Sequence, residues 1–295
     1  TDTQQVAGIP LGAGAISLSA RDETTIRAIA GAVGVSKNAG FGAAVSYNAV
    51  ENTVSSYVDS SGINTTGSLN LAAESASLIE TITIGVAGGK NLGLAGSVSL
   101  NSITNAVDAY IGNNTDIEAS DVSLSASDTS TVKVIAGGVA VASSAAIGAA
   151  VAINDVDNTI TARVEGATMA SEGALTLVAT SEATISSITV GGSGASTFAL
   201  GGSVSLNEIA NTVESTITGS AIVDAGAVSV AASDTSTIEA IAGGVAVSSS
   251  ASFGAAVATN DIGNTIKALV DGSTVTVADA MTLSATSGAT ISNIT

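Results

Sequence analysis

The chain repeats itself every 53 residues, and no insertion or deletion interrupts the period. A tripeptide of Leu-Ser-Ala type ends at Ala20, and its counterparts end at Ala73, Ala126, Ala179, Ala232 and Ala285. Alternate copies are more alike, because the segment that begins at Ser123 recurs 106 residues later at Ser229. Equal units that follow one another without insertions are typical of a repeat architecture, in which each unit packs on the next. We therefore expect residues 1–295 to form one repetitive segment of about five and a half units, paired into a 106-residue superrepeat.

Positions one period apart keep the same kind of side chain, and most of these columns are aliphatic. Aliphatic residues alternate with polar or small ones, as in Ile16, Leu18 and Ala20 or in Val33 and Val35. This period of two predicts strands with one buried face, and no apolar stripe at helical spacing competes with it. The clearest columns are Leu18, Leu71, Leu124 and Leu177; Ile29, Ile82, Ile135, Ile188, Ile241 and Ile294; and Val45, Val98, Val151, Val204 and Val257.

The repeat and the strand period together predict an all-β fold, a parallel β-solenoid (β-helix) with several strands per 53-residue coil. Equivalent positions would stack ~4.8 Å apart along the solenoid axis. The candidate strands of the first unit are 14–20, 24–36, 42–48 and 50–59, and the segments 59–67, 112–120 and 165–173 are expected to be variable outer turns. The column of Gly42, Gly148, Gly201 and Gly254, which Ala95 interrupts, predicts a tight interface between sheets.

Residues that would be neighbours in this stack are chemically matched. Arg27, Glu80 and Lys133 share a column, so opposite charges would alternate from coil to coil. Glu214 and Lys267 are a second opposite pair one unit apart. Tyr57, Tyr110 and Arg163 share another column, which predicts ring stacking followed by a cation–π contact.

Two asparagines four residues apart recur in every unit, although asparagine is a poor strand former. Stacked in register, each column can form a ladder in which every side-chain amide donates to the next side-chain carbonyl. Asparagine also tolerates a bent backbone, so we expect these ladders at corners of the coil. The ladder residues are Asn48 and Asn52, Asn101 and Asn105, Asn154 and Asn158, Asn207 and Asn211, and Asn260 and Asn264.

Composition restricts the chemistry that the chain can perform. A formal net charge of −18 argues against nucleic acid and anionic membranes as partners, and no apolar run is long enough to predict membrane insertion. The absence of histidine and cysteine excludes the common catalytic triads, zinc sites and disulfides. A polysaccharide lyase would need clustered carboxylates beside an Arg or Lys, and the pattern contains no such cluster. We therefore expect no catalytic residues.

Calcium is the one metal that an acidic chain of this kind suggests. Asp155, Asp157 and Asp261 place carboxylates near the asparagine columns and are weak candidate ligands. However, Ala49 and Ser102 occupy the column of Asp155, and the glycine-rich calcium nonapeptide and the EF-hand loop are both missing. We predict no cofactor and no dedicated metal site, and leave loosely bound calcium open.

A column of alternating serine and aspartate is a second place where a metal site could be considered. Asp22, Asp128 and Asp234 alternate in it with Ser75, Ser181 and Ser287. This alternation favours a cap at a bend over a metal site.

The elements "IAGG", "GAAV" and "NTI" recur in alternate repeats, and the resemblance that they carry covers essentially the whole chain. They resemble repeats of very large bacterial surface proteins, the filamentous-haemagglutinin and autotransporter-type adhesins. The resemblance implies export to the cell surface, a parallel β-helical stalk and a role in attachment or in surface filaments. It implies no catalytic motif.

These observations predict a structural role as a stalk or filament segment of an extracellular bacterial adhesin, mediating attachment or contact between cells or with matrix. The expected partners are further repeats of the same chain, in end-to-end or lateral self-association, and host or matrix glycans. The alternative is a carbohydrate-binding lateral face of the solenoid, although the scarcity of aromatic residues, 2% of the chain, disfavours it. A polysaccharide-lyase-like enzyme is the third and disfavoured hypothesis.

Overall fold

The computed structural model describes residues 2–5, 9–12 and 14–295, and its regular structure consists of β-strands. This described part of the chain contains no helix that could cross a membrane. The strands are β1 (Asp2–Gln5), β2 (Ile9–Gly12), β3 (Ile16–Val35), β4 (Ala39–Val58), β5 (Gly62–Thr65), β6 (Leu69–Gly89), β7 (Leu92–Ile111), β8 (Asp116–Ala119), β9 (Val122–Ala142), β10 (Ala145–Val156), β11 (Thr159–Glu165), β12 (Thr168–Ser171), β13 (Ala174–Ser181), β14 (Thr184–Gly194), β15 (Phe198–Ile209), β16 (Thr212–Thr218), β17 (Ala221–Ala225), β18 (Ala227–Asp234), β19 (Thr237–Val247), β20 (Ala251–Ile262), β21 (Thr265–Asp271), β22 (Thr274–Val277), β23 (Met281–Ser287) and β24 (Thr290–Ile294).

The strands form three parallel sheets, to which each coil contributes in turn. Sheet A contains β1, β4, β7, β10, β11, β15, β16, β20 and β21; sheet B contains β2, β5, β8, β12, β17 and β22; and sheet C contains the remaining nine strands. A coil crosses sheet C, turns at residues such as 36–38, returns through sheet A and closes through sheet B. Neighbouring coils pair in a register of 53 residues along both long sheets, as in Asn48 with Asn101 and Ile29 with Ile82. The predicted parallel β-solenoid is confirmed.

The cross-section is a wedge with a wide base, where the three sheets meet, and a narrow tip, where sheets A and C converge on the turn at 36–38 and its equivalents. The largest apolar cluster fills the base and includes Leu71, Ile117 and Met169. A second cluster around Ile103 and Ile185 lies farther toward the tip. The cluster nearest the tip consists of alanines alone. Interior side chains therefore become smaller as the two long sheets approach each other.

At the tip the two long sheets are in contact through their backbones. A Cβ added to Gly138 of sheet C would overlap the carbonyl oxygen of Ala149 in sheet A. A Cβ added to Gly148 of sheet A would lie 2.6 Å from the carbonyl oxygen of Gly138. Sheets that pack through ordinary side chains lie ~10 Å apart, so only glycine and very small residues fit between these two. The tight interface predicted from the column of Gly42 and Gly148 is confirmed.

The corner between sheets A and B requires a left-handed backbone conformation in most coils. Gly166, Gly219 and Gly272 occupy it with φ of 59°, 57° and 57°. Ser60 has a φ of 48° in the first coil, and Asn114 has a φ of 56° in the second. Glycine adopts this region without a steric penalty, and asparagine is among the few other residues that tolerate it.

Three expectations about local structure are wrong. The segments 59–67, 112–120 and 165–173 are not only turns, because each contains a short strand of sheet B. The candidate strands 14–20 and 24–36 are a single strand, β3, and the equivalent strand breaks only from the fourth coil onward. The third error is the expectation that Val33, Val35 and the columns of Ile29 and Val45 lie on a buried face. In β3 and β4 the even-numbered side chains point inward along the whole strand, so the odd-numbered side chains of this set point outward.

Candidate functional site

Two polar layers cross the interior of the wedge, and the asparagine columns lie in them. Asn101, Asn105, Asn154 and Asn158 are all buried on the inner face of sheet A. Buried polar groups must be hydrogen-bonded to be tolerated. The two columns meet this requirement in different ways.

The first asparagine column forms the side-chain ladder that the repeat predicts. The Nδ2 atom of each asparagine donates to the Oδ1 atom of the asparagine in the next coil, through four successive steps from Asn48 to Asn260. The distances are 2.8 Å for the first three steps and 2.7 Å for the last. The column does not lie at a corner, however, since Asn101 is in the middle of β7. The ladder therefore joins coils inside the wedge, between two sheets.

The second column has a different arrangement from the one expected. The backbone N–H of Asn105 donates to Oδ1 of Asn158 at 2.8 Å, and the same bond recurs from Asn158 to Asn211 and from Asn211 to Asn264. The side-chain amide is thereby free to donate across the wedge to sheet C. In the later coils this column lies where the sheet A strand is interrupted, as between β10 and β11. These asparagines therefore join coils and also join the two long sheets.

Asp128 of sheet C receives the amides of the second column. Its carboxylate accepts from Nδ2 of Asn158 at 2.8 Å, from Nδ2 of Asn105 at 3.0 Å and from the Ser130 hydroxyl at 2.6 Å. Burial raises the pKa of Asp128, and the hydrogen bonds from Ser130 and the asparagines oppose that rise. Asp234 makes the equivalent bonds with Ser236 and Asn264. The interpretation as a cap at a bend holds in part, because Asp234 also accepts from the backbone N–H of Ser236 at 3.1 Å.

The surface pairs that the 53-residue register predicts are confirmed. Glu80 accepts from Arg27 at 2.7 Å and lies 3.7 Å from the Lys133 ammonium. The hydrogen bond from Arg27 lowers the pKa of Glu80. On sheet A, the ammonium of Lys267 lies 3.6 Å from the Glu214 carboxylate.

The aromatic column of sheet A has the predicted geometry as well. Tyr57 and Tyr110 stack with ring centroids 4.7 Å apart, and the guanidinium of Arg163 lies 4.2 Å from the centre of the Tyr110 ring. Arg163 also pairs with Asp108 at 2.9 Å. Burial raises the pKa of Asp108, and the hydrogen bond from Arg163 opposes that rise.

The weak calcium candidates lie on the outer face of sheet A. Asp155 stacks on Glu208, which in turn stacks on Asp261, so three carboxylates follow one another in a column. Burial, followed by the charges of Glu208 and Asp157, raises the pKa of Asp155. Within the described residues no group of three or more acidic side chains has the geometry to hold a metal ion. These residues form a like-charged column without a cation partner in the same column.

The outer faces of the tip are apolar, which the sequence reading did not anticipate. We define the tip half as residues 29–47, 82–100, 135–153, 188–206 and 241–259. On sheet C of the central coil, Ile135 and Val139 are each 45% exposed and Val141 is 59% exposed. The tip half contains two lysines, Lys37 and Lys90, and none of the 25 acidic residues of the chain. The negative charge is therefore confined to the base half, and both faces of the tip are uncharged over most of their area.

Comparison with protein-family models, curated proteins and solved structures finds no match for this chain.

Proposed function

We propose that this chain is a structural segment of an extracellular bacterial adhesin or surface fibre, in which many coils of this kind stack into a stalk or filament. The observation that carries the proposal is the in-register stacking of equal coils, with the interior columns of both long sheets repeated from one coil to the next. A coil of this kind contacts only its two neighbours, so an array lengthens without any new type of contact. The bacterial surface, and attachment as the role, rest on the resemblance of the repeats to those of large adhesins.

The dimensions of the wedge define what this segment contributes to such a fibre. A strand of 20 residues, such as β4, spans about 65 Å, whereas each coil adds only ~4.8 Å along the axis. Five coils therefore rise only about 25 Å, and the segment is wider than it is tall. A binding region could be held far from a cell only by an array of many such segments. The proposed role is therefore that of a stacking unit in a long fibre.

Arrays of increasing length provide the test. Chains that contain one, two and four copies of residues 14–225, which are four whole 53-residue units and therefore join in register, should form particles of constant width. Their length should increase by ~4.8 Å for each 53-residue coil, as measured by electron microscopy. Displayed on a bacterial surface beneath a separate binding domain, longer arrays should increase its reach and leave its affinity unchanged. A constant particle length, or particles that widen as coils are added, would refute the proposal.

A glycan array separates this role from the carbohydrate-binding alternative. A stacking unit should give no saturable signal, whereas a binding face should give one that grows with the number of coils. Host or matrix glycans remain proposed partners only if that signal appears. Further copies of the repeat, end to end, are the partners that the stacking role requires.

A further inference from the structure

The outer face of sheet C in the tip half is a continuous apolar surface. We call it the outer C face and define it by the outward-pointing residues of 29–35, 82–88, 135–141, 188–194 and 241–247. Every outward position in these ranges is isoleucine, valine or glycine. The column that contains Arg27, Glu80 and Lys133 borders one side, and tip turns with serine, asparagine and lysine border the other. Apolar patches with polar rims are characteristic of interaction sites.

The outer C face is large enough to form an interface with an equal face. Its seven residues along the strand and five coils along the axis cover about 23 Å by about 24 Å, or roughly 550 Å². The largest apolar patch of a typical monomer is ~300–600 Å², and such patches are often functional. If two such faces meet on the column of Val33, residues 31–35 and their equivalents face their equals and bury roughly 800 Å² in total. Contact of the Ile29 column with the tip turn of the other copy adds to this area, so the total approaches the ~1,000 Å² expected of a specific interface. Each further coil would enlarge the area.

The pattern of protruding and recessed positions on the outer C face follows the two-unit superrepeat. At two positions four residues apart, every coil has one bulky residue and one glycine, and the order reverses from coil to coil. The pairs are Gly31 and Val35, Ile84 and Gly88, Gly137 and Val141, Val190 and Gly194, and Gly243 and Val247. The space above the glycines is open, since a Cβ on Gly137 would meet nothing closer than 3.9 Å and one on Gly194 nothing within 4 Å. The face therefore carries knobs and hollows in a fixed alternation.

We propose that the outer C face binds the same face of a second copy of this chain, about a two-fold axis that runs parallel to the solenoid axis through the column of Val33, Val86 and Val139. This operation exchanges the two alternating positions within a coil. Val141 then lies opposite Gly137 of the second copy, and Ile84 lies opposite Gly88 of the second copy. The same match of bulky residue to glycine holds at these two positions in all five coils, while the column on the axis, which is valine in four coils and glycine in the other, meets itself. The alternating positions are therefore complementary to themselves. Two-fold interfaces require this self-complementarity.

Charge distribution favours the same partner. The chain carries a net charge of −18, which would oppose the approach of two copies through most of their surfaces. The outer C face has no carboxylate, and the tip half contains no acidic residue at all. Two copies can therefore approach tip half to tip half while their acidic bases remain apart. The pairing would bundle neighbouring fibres side by side, which is a further property beyond the stacking role.

The test is a pair of compensating substitutions in the central coil. Gly137→Val places a bulky residue opposite Val141 of the second copy, and it should weaken pairing roughly tenfold or more. The double substitution Gly137→Val with Val141→Gly exchanges the bulky residue and the glycine, so each valine again faces a glycine of the second copy. It should restore most of the affinity. Gly202→Val is the matched control, because it makes the same change on the outer face of sheet A, where a Cβ would have a nearest contact of 3.7 Å.

Sedimentation equilibrium measures the dissociation constant of each variant, and small-angle scattering distinguishes side-by-side pairs from end-to-end ones. Circular dichroism checks the fold, and Val141→Lys provides a second disruptive change at an exposed position if Gly137→Val folds poorly. The proposal is wrong if the unmodified chain stays monomeric, or if its pairs double in length along the axis. It is equally wrong if the double substitution fails to restore pairing. Flotation of a monomeric chain with phosphatidylcholine vesicles would identify a lipid surface as the occupant instead.

Discussion

Replacing Asn154 with leucine tests whether the first asparagine column links the coils. Asn154 is 1% exposed; it accepts from Asn101 at 2.8 Å and donates to Asn207 at 2.8 Å. Leucine has the same branching as asparagine and cannot hydrogen-bond, so both neighbours lose a partner. The Asn101 amide keeps a bond to the Ser99 hydroxyl at 3.1 Å, whereas no other donor among the described residues reaches the Asn207 side-chain carbonyl oxygen.

The expected destabilisation follows from counting the groups left without a partner. A buried polar group that loses its partner costs about 1–3 kcal/mol, and Asn101 loses only part of its bonding. Burial of the more apolar leucine side chain stabilises the folded state to some extent, but leucine is larger than asparagine and must fit into the space that the amide occupied. We expect Asn154→Leu to lower the free energy of unfolding by about 2–3 kcal/mol.

Replacing a run of the column gives a sharper result than the single change. If Asn101, Asn154 and Asn207 all become leucine, the asparagine ladder still loses partners only at its two ends, Asn48 and Asn260. The hydroxyls of Thr81, Ser99 and Ser205 also lose the bonds that they make to Asn101 and Asn207. The polar part of the cost should therefore exceed that of the single change but stay below three times its size.

Urea unfolding followed by circular dichroism measures both variants, with Thr161→Leu on the outer face of the same sheet as the control. A change at this outward, half-buried position should alter stability by about 0.5 kcal/mol or less. A cost for the triple variant that equals three times the single cost would show that each asparagine acts alone. An unchanged midpoint for Asn154→Leu would refute the ladder as a stabilising element.

Three further changes test other parts of the wedge. Gly148→Ala should destabilise by about 2 kcal/mol or more because its Cβ would press on the facing sheet, whereas Gly194→Ala, in open space, should be nearly neutral in the same urea unfolding assay. Because burial raises the pKa of Asp128, the stability that this group contributes is present below its unfolded pKa and is lost as the pH rises through the folded value. Asp128→Asn should therefore gain stability relative to the unmodified chain as the pH rises above about 4, the ordinary value for an aspartate, and parallel pH profiles would contradict this. Deletion of residues 127–179 should leave a folded solenoid one coil shorter, since equivalent columns still meet, whereas a half-unit deletion should not fold by circular dichroism. Chelation of divalent cations should leave the thermal melting temperature unchanged.

The sequence predicts the stacking and its register because the period has no insertions. Once the register is known, contacts such as Arg27 with Glu80 and Tyr57 with Tyr110 follow from sequence position alone. A column of equal residues shows that positions are stacked, but it does not show which way they point. The ladder of the first column was therefore predictable, whereas its location inside the wedge was not.

The direction of the aliphatic residues at the tip could not be predicted from hydrophobicity. Leu18 and Ile26 have the opposite parity to Ile29 and Val33, so an unbroken strand must place the two sets on opposite faces. Hydrophobicity favours burial of both sets. Both sets could be buried only if residues 14–20 and 24–36 were separate strands with different inward faces, as expected from the sequence. The decisive factor is the small gap between the sheets, which admits only glycine, alanine and small polar residues. That gap is a tertiary property that no single strand reveals.

The third sheet was missed for a different reason. The segments that contain it vary in sequence, and their strands are only four or five residues long. One position within them is nevertheless apolar in four coils, namely Ile63, Met169, Ile222 and Val275, while the second coil has Ile117 one residue later, paired with Ile63 and Met169. These side chains close the base of the core. The one-residue shift at Ile117 interrupts the 53-residue period, so the signal for sheet B is weaker in the sequence than the signal for the two long sheets.

The ratio of chain length to rise has a mechanical consequence. A coil of 53 residues contributes ~4.8 Å to the height of the stack, but the same residues pulled straight would span about 180 Å. Tension along the axis would load the end coil first, because it is bonded on one side only. Each coil that peels away would then lengthen the tether almost fortyfold relative to its folded contribution, while the coils beneath stay intact. Under load, such a fibre would lengthen by unfolding one coil at a time, and each unfolding step would absorb work before the fibre broke.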